Sequence, residues 1–416
     1  MKVCVIGGGA SGMMCATMIA RKGHEVSLFE KNEKLGKKIY ITGKGRCNVT
    51  NAVVGDEFLK NVVNGKKFVM GAITRFNSKD TMSFFEDVGI PLKIERGNRV
   101  FPVSDKASDI IKGLERAMHW AGVEVNLNSN VDKILIDDET KTVKGVVVNS
   151  KEKYFDAVIV ATGGVSYPST GSTGDGYEFA KQAMHTIVKP VPSLCAINLK
   201  TDELQKLEGL SLKNVKLISK LKSSNKIVYE SEIGEMLFTK NGVSGPLVLS
   251  TSSFVNRLNL DDVEMMIDFK PAITLDGLLV RIDKDIISLK AKQFSSLLEG
   301  FLPKSLVPIF AKRLGVNLTS KANQLSKENR NKLAGMLKKF VILPESLENF
   351  NQAVVTSGGV NLKEINPKYM KSKLVNGLYF IGEVLDIDAL TGGFNLQLAF
   401  STAVTCSSDF KDLKKE

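Results

Sequence analysis

Three glycines near the start of the chain, Gly7, Gly9 and Gly12, fill the spacing GxGxxG inside the segment GGGASG. In that spacing the first glycine permits a tight turn and the second lets backbone approach a pyrophosphate. The third lets helix and strand pack closely. A helix opening at such a turn aims free N–H groups and the positive end of its dipole at the phosphates. Glu30 stands 18 residues beyond Gly12, where a carboxylate accepts hydrogen bonds from ribose hydroxyls. The combination predicts dinucleotide binding; the competing reading is a glycine turn that only shapes the fold. Cys47 is a further candidate, as the acid that protonates one carbon of an alkene while hydride reaches the other. Its alternative is to pack beneath its loop. His24, His119 and His185 lie far apart without metal-ligand spacing, and Ser11 and Ser244 lack a triad context. The five cysteines (Cys4, Cys15, Cys47, Cys195, Cys406) stand singly with no CxxC. That argues against a zinc site or dithiol pair and fits a reducing, cytoplasmic setting.

These residues need elements to hold them. Val3–Ile6 reads as a buried parallel strand, Ala10–Arg21 as a helix and Val26–Phe29 as a second buried strand closed by Glu30. The loop Lys31–Asn51 is too long and too glycine-marked for a plain connector. Residues 66–89 read as helical, Leu92–Phe101 as extended, and Ser104–Ala121 as a helix capped by Ser104. Short strands follow at Val123–Val125, Lys133–Ile136, Val143–Val148 and Ala157–Val160, the last breaking at ATGG (Ala161–Gly164). Past Pro190 and Pro192 the pattern changes to alternating strands (Val215–Leu221, Lys226–Glu230, Val263–Phe269), and from Leu275 to Phe340 to helices. Leu378–Ile381 is one more buried strand, leading into GEVLDIDALTGGFNLQLAFSTA.

The expected fold is α/β: a discontinuous Rossmann-like FAD-binding domain (1–190 plus 355–416) with two insertions. These are a small β-barrel-like subdomain (191–272 plus 341–354) and a helical subdomain (273–340). FAD is preferred over NAD because a second glycine turn, Gly392–Gly393, opens a late helix after Gly382 and Glu383. A helix N-terminus there stabilises negative charge at the pyrimidine edge of a reduced flavin. No second GxGxxG occurs, since GSTGDG (Gly171–Gly176) has the wrong spacing. NAD(P)H is therefore expected only as a transient co-substrate.

Five blocks carry a resemblance: TGKGRCNVTN (Thr42–Asn51), ATGGVSYPSTGSTGDGY (Ala161–Tyr177), GEMLFTKNGVSGP (Gly234–Pro246), VVTSGGVNLKEI (Val354–Ile365) and GLYFIGEVLDIDALTGGFNLQLA (Gly377–Ala399). In this order, over essentially the whole chain, they resemble the YhiN/BaiN-like flavoproteins, also called aminoacetone oxidase family FAD-binding enzymes. The resemblance implies a discontinuous FAD domain and one of three activities: reduction of an enone, oxidation of aminoacetone, or dihydrouridine formation in ribosomal RNA. It implies that Gly7, Gly9, Ala10, Ser11 and Gly12 line the pyrophosphate and that Glu30 and Lys31 meet the adenosine ribose. Lys38, Gly45, Arg46 and Asn48 are to approach the flavin or its phosphates. Val131 is to contact adenine through its backbone, and Ala161, Thr162 and Gly163 are to pass beside the cofactor. Gly382, Glu383, Gly393, Phe394, Asn395 and Leu396 are to hold the ribityl chain and pyrimidine edge. Two positions depart from the family pattern. Lys240 and Asn241 follow LFT where a histidine is common, and Met184 precedes His185 where glycine is common.

Composition narrows the rest. The chain has 416 residues, 43% apolar and 25% charged, which excludes long disorder and collagen. No stretch approaches the ~20 apolar residues of a membrane span. The net charge is +12, which suits an acidic partner. Between Lys304 and Lys339 nine basic residues face one acid, Glu328, a local +8. That run reads either as a footprint for nucleic acid, with Lys312, Arg313 and Lys338 as candidates, or as a solvated lysine-rich face. The expected activity is reduction of a conjugated C=C by hydride from flavin N5. The substrate is a small enone-like molecule or a uridine in ribosomal RNA. An amine oxidase and an FAD-binding protein without turnover are the other readings.

Overall fold

The first apolar run forms β1 (Lys2–Ile6), in a computed structural model that describes residues 1–200, 202–289 and 292–414. The described chain divides into two compact units, residues 1–192 with 350–416, and residues 193–349.

In the first unit β1 lies at the centre of a parallel sheet. It pairs with β2 (Glu25–Phe29) on one side and, on the other, with Ala157–Val160, here called β4. Glu124–Asn126 (β3) borders β2, and Leu378–Phe380 (β5) borders β4, both parallel. The order is thus β3-β2-β1-β4-β5, extended past β5 by the short antiparallel strands Lys371–Ser372 and Ile365–Asn366. Val3, Cys4, Val5 and all four residues of β4 are buried, as a parallel sheet covered on both faces requires. Helix α1 (Ala10–Arg21) packs against α2 (Ala107–Ala121) and α3 (Phe394–Ser407), so the first and last helices of the unit are neighbours. Both α1 and α3 are buried over most of their length, α3 with small polar residues such as Ser401 and Thr402 among its buried positions. A three-stranded antiparallel meander (Val131–Asp137, Thr142–Val148, Lys151–Tyr154) and a second three-stranded sheet (Thr50–Asn51, Arg99–Pro102, Leu92–Glu95) also belong to the unit.

Local details differ from the sequence reading. The 66–89 stretch is two helices, Lys66–Arg75 and Ser78–Asp87, because Asn77 and Asp80 form a reciprocal capping box that starts the second. Ser104 does not cap α2; its hydroxyl accepts the Lys106 N–H, and Lys106 occupies the cap position. The loop from Lys31 contains a short helix, Lys37–Ile41, and a 3₁₀ turn, Thr42–Gly45.

The second unit is an antiparallel sheet followed by helices. Its end strands, Phe340–Ile342 and Pro344–Leu347, are separated only by Leu343, so the sheet path returns on itself like a small barrel. A helix at Pro246–Val255, unread in the sequence, lies between its strands. The helices Leu275–Leu289, Phe294–Glu299, Val307–Leu314 and Lys327–Lys338 share one core with the sheet, in which Phe310 stacks on Phe340 with centroids 5.0 Å apart. Among the described residues no helix is long and apolar enough to cross a membrane.

Candidate functional site

The glycine turn sits at the carboxyl end of β1, where ligands bind in open α/β sheets. A Cβ on Gly7 would stand 2.6 Å from the Ala161 carbonyl oxygen, and one on Gly12 would strike the Gly7 carbonyl. These two glycines are therefore demanded by packing alone. Gly9 is different: a Cβ there would meet nothing within 4 Å. Gly9 is also the N-cap of α1, with no capping side chain and no acid in the first turn. The start of α1 thus has clear space beside Gly9 and no capping side chain. Ala10 and the buried Ser11 follow it; a Cβ on Gly382, at φ 72°, would stand 2.6 Å from Ser11 Oγ. The two distant glycine motifs therefore touch.

Glu30, at the end of β2, is buried and accepts the Gly8 N–H at 2.7 Å on Oε2 and the Asn32 N–H at 2.9 Å on Oε1. It thereby braces the glycine turn. Lys31 Nζ donates to Thr173 Oγ1 and to Asp175 Oδ2, the latter at 2.6 Å. Asn126, at the end of β3, accepts the Glu30 N–H through its carbonyl, and its own side-chain Nδ2 is buried without a partner. Val131 is buried at the start of the meander, in register with Val148.

Three remote segments meet around Glu383. Lys38 Nζ lies 2.6 Å from both Glu383 Oε2 and Ser166 Oγ. Glu383 Oε1 accepts the Thr356 N–H at 2.8 Å and the Ser166 hydroxyl at 3.1 Å. A Cβ on Gly163 would stand 3.8 Å from Glu383 Oε2. Ala161 donates its N–H to Ile6 at 2.9 Å, continuing the sheet edge, and Thr162 Oγ1 is buried without a partner. The Tyr177 hydroxyl is likewise orphaned, and burial raises its pKa, with the charges of Glu383 and Asp386 adding to the effect.

The GRCN segment splits its residues among different tasks. Gly45 turns at φ 85° with open space beside it. Arg46 points to Glu95 and Asp105, each at 2.5 Å from one guanidinium nitrogen, and lies over the Phe101 ring at 4.3 Å. Cys47 is fully buried at φ 57°, and desolvation pushes its thiol up to about 12. The Asn48 carboxamide oxygen is buried and unpartnered. Nearby, a Cβ on Gly393 would collide with the Thr50 backbone, so the closing motif seats directly on this segment. Gly393 is the N-cap of α3, again with no capping side chain and no acid in the first turn. Phe394 packs edge-on against Phe58, and Leu396 packs at the edge of the core. The Asn395 side chain is spent on Ala389, accepting its N–H and donating to its carbonyl at 2.7 Å.

A cofactor with phosphates and polar edges fits these residues. Two uncapped helix N-termini, the clear space beside Gly9, and the buried unpartnered atoms of Asn48, Thr162 and Asn126 fit a ligand along the carboxyl edge. Asn126, Ser166, Thr356 and Tyr177 were missed in the sequence. Three of them lie inside quoted motif blocks, but only the fold shows that they converge.

Elsewhere in this unit Ser372 Oγ lies 2.7 Å from His185 Nε2, and His185 Nδ1 lies 3.3 Å from Glu364 Oε2, an ion-pair distance without hydrogen-bond geometry. The resemblance to a nucleophilic triad is only formal. Ser372 is buried, and its oxygen accepts the N–H groups of Leu374 and Val375.

In the second unit the candidate basic residues divide. Arg313 is held by Glu203 at 2.6 Å and lies over Phe340 at 4.1 Å. Lys338 is paired with Asp268 at 2.6 Å and donates to the carbonyls of Lys270 and Ile273. Lys312 remains mostly exposed, 3.6 Å from Glu203. Lys304, Lys321, Lys327 and Lys339 are exposed and make no ion pair among the described residues.

A family model described as "HI0933-like protein Rossmann domain" matches residues 1–409. A 3-dehydro-bile acid delta(4,6)-reductase of Clostridium scindens is 29% identical over 407 residues, covering 96% of this chain and 97% of that protein. A ribosomal RNA dihydrouridine synthase of Haemophilus influenzae is 31% identical over 406 residues, covering 97% of this chain and 96% of its own. Its namesake in Escherichia coli is 29% identical over 410 residues, with coverages of 97% and 96%.

Proposed function

The chain belongs to the HI0933-like family of Rossmann-domain flavin oxidoreductases, and from that premise we propose that it is an FAD-dependent reductase of a conjugated carbon–carbon double bond. The observation that carries this reading is a pair of uncapped helix N-termini, at Gly9 and Gly393, supplied by motif blocks from both ends of the chain that touch where Gly382 packs on Ser11. One serves a pyrophosphate and the other an anionic pyrimidine edge. When bound, FAD supplies hydride transfer from its N5. Gly7, Gly9, Ala10, Ser11 and Gly12 would hold the pyrophosphate and Glu30 the adenosine ribose, with Lys31 kept beside it by Asp175. Val131 would meet the adenine through its backbone. Ala161, Thr162 and Gly163 would run along the cofactor. Lys38 and Glu383 would neutralise each other under it, and Gly382, Gly393, Phe394 and Leu396 would frame the ribityl and pyrimidine end. Asn395 would shape the preceding turn. Cys47 is buried, which favours packing over proton donation. With one dinucleotide fingerprint in the chain, NAD(P)H would act as an external donor.

The reductase named among the relatives and the conjugated C5=C6 bond of uracil call for the same chemistry, hydride to one carbon and a proton to the other. The exposed lysines Lys304, Lys321, Lys327 and Lys339, with no ion pair among the described residues, favour the RNA substrate as the second reading, since phosphate contacts need unpaired cations. The test is absorbance of the purified protein followed by anaerobic addition of NADH or NADPH. A flavin spectrum that bleaches supports the reading. A colourless protein that cannot be reconstituted with FAD overturns it, and oxygen uptake with aminoacetone in place of bleaching assigns the oxidase branch. Dihydrouridine mapping of ribosomal RNA with and without the gene separates the two substrates.

A further inference from the structure

Arg46 stands in the middle of the GRCN block, where a cation beside a dinucleotide invites assignment to a phosphate. The structure puts it to another use. Its guanidinium is gripped by two carboxylates: Nε and one terminal nitrogen reach Asp105 at 3.0 and 2.5 Å, and the terminal nitrogens reach Glu95 at 2.5 and 3.3 Å. One face of the group lies 4.3 Å from the centre of the Phe101 ring. Lys93 ties the two acids together, 2.8 Å from Asp105 and 3.6 Å from Glu95. Donors already satisfied by two carboxylates and a ring have little left for a phosphate, and the paired charges cancel the attraction an anion would feel.

The grip falls on the backbone just ahead of the strained and orphaned part of the loop. Glu95 lies on the strand Leu92–Glu95 and Phe101 on Arg99–Pro102; Asp105 follows in the next turn. These two strands pair with each other, and Arg99–Pro102 pairs with Thr50–Asn51. Arg46 therefore fastens the turn to a three-stranded sheet from one side while residues 50–51 join the sheet from the other. Between these anchors Cys47 adopts φ 57°, a conformation non-glycine residues hold only when their surroundings impose it. Asn48 follows, with its carboxamide oxygen buried and unpartnered.

We propose that Arg46 is a positioning residue, which with Glu95, Asp105 and Phe101 holds the left-handed turn at Cys47 so that Asn48 Oδ1 accepts a hydrogen bond from an N–H group of the bound flavin. This rests on the FAD reading above. Both acids are held below the usual carboxylate range, Glu95 chiefly by Arg46 and Asp105 chiefly by Lys93 with Arg46 next, so the frame stays charged through neutral and mildly acidic pH.

If Arg46 were a phosphate ligand restrained by its acids, removing their charge would free it and tighten FAD. If it positions Asn48, the same change loosens FAD. The experiment titrates the full-length apoprotein with FAD, following flavin fluorescence, for the wild type, Arg46→Ala, the pair Glu95→Gln/Asp105→Asn, and the triple variant. We expect the acid pair and Arg46→Ala each to weaken FAD about tenfold. The triple variant should be no worse than either, because all three changes break one clamp. The acid pair and Asn48→Ala should also shift the visible band of bound flavin alike, a signature that general loosening does not produce. FAD binding by the acid pair at wild-type strength or tighter, with loss in Arg46→Ala, would overturn the proposal. Should the acid pair not fold, Phe101→Leu keeps every charge and removes the ring. Weakened FAD then supports the clamp, and unchanged FAD refutes it. A wild-type protein that binds no FAD fails the functional reading instead, which the same titration shows first.

Discussion

Substituting Gly9 by alanine separates the demands of the fold from those of the ligand. Gly9 has φ −85° and ψ −170°, a region open to alanine, and a Cβ there would meet no atom within 4 Å. Two small effects on the apoprotein oppose each other. Fewer unfolded conformations stabilise by about 0.4–1 kcal/mol, and replacing a glycine N-cap by alanine costs about the same. Stability should therefore change by less than about 0.5 kcal/mol. Binding should respond differently. The added methyl takes up clear space at the N-cap of α1, where a phosphate oxygen accepting the first N–H groups would approach to about 2.9 Å. Losing one hydrogen bond to a charged group removes about 1.5–3 kcal/mol, so FAD affinity should fall about ten- to a hundredfold. The assay pairs a urea unfolding curve of the apoprotein with an FAD titration followed by flavin fluorescence. Undiminished FAD affinity in a folded Gly9→Ala protein would refute the pyrophosphate assignment. A large loss of apoprotein stability would refute the geometric argument.

Further outcomes follow from single contacts. Gly393→Ala, at φ 95° and against the Thr50 backbone, should destabilise the apoprotein by about 2–4 kcal/mol in thermal or urea melts, the sign opposite to a harmless surface glycine. All five cysteines are buried, and Cys47 is pushed up to about 12, so native protein should resist alkylation and release all five thiols only in denaturant. The buried ring of His185 has its pKa lowered by desolvation, and that of Glu364 is also lowered. The unfolded chain thus takes up protons first. Stability should be full above pH ~6.5 and decline below it, and His185→Gln should flatten that decline in melts taken across the range. Arg313→Ala should lower the melting temperature of the protein by removing the Glu203 and Phe340 contacts, while Lys312→Ala should leave it nearly unchanged.

The Rossmann-like core was open to reading because its signals are local. Val3–Ile6 is apolar without alternation, and Gly7 and Gly12 are required by backbone contacts a few residues away or across one strand. The helix Pro246–Val255 escaped because it is short and opens on a proline and an apolar run, which periodicity cannot tell from a strand. The break at Asn77 was written in the residues Asn77 and Asp80, though the helical content on either side concealed it.

By itself, then, the amino-acid sequence determined where the backbone must turn, which strand begins the sheet and that a dinucleotide is the ligand to expect. Glycine spacing and apolar runs act over a few residues, so their meaning survives without the fold. Which charges are available was decided only by tertiary structure. In their motifs Arg46 is expected near the flavin or its phosphates and Lys31 at the adenosine ribose, and Arg313 and Lys338 look like nucleic-acid contacts in theirs. In the structure each is held by a carboxylate remote in the chain: Asp105, Asp175, Glu203 and Asp268. A charge binds a partner only with the donors and field its neighbours leave it, and those neighbours are chosen by folding across distances that no local pattern records.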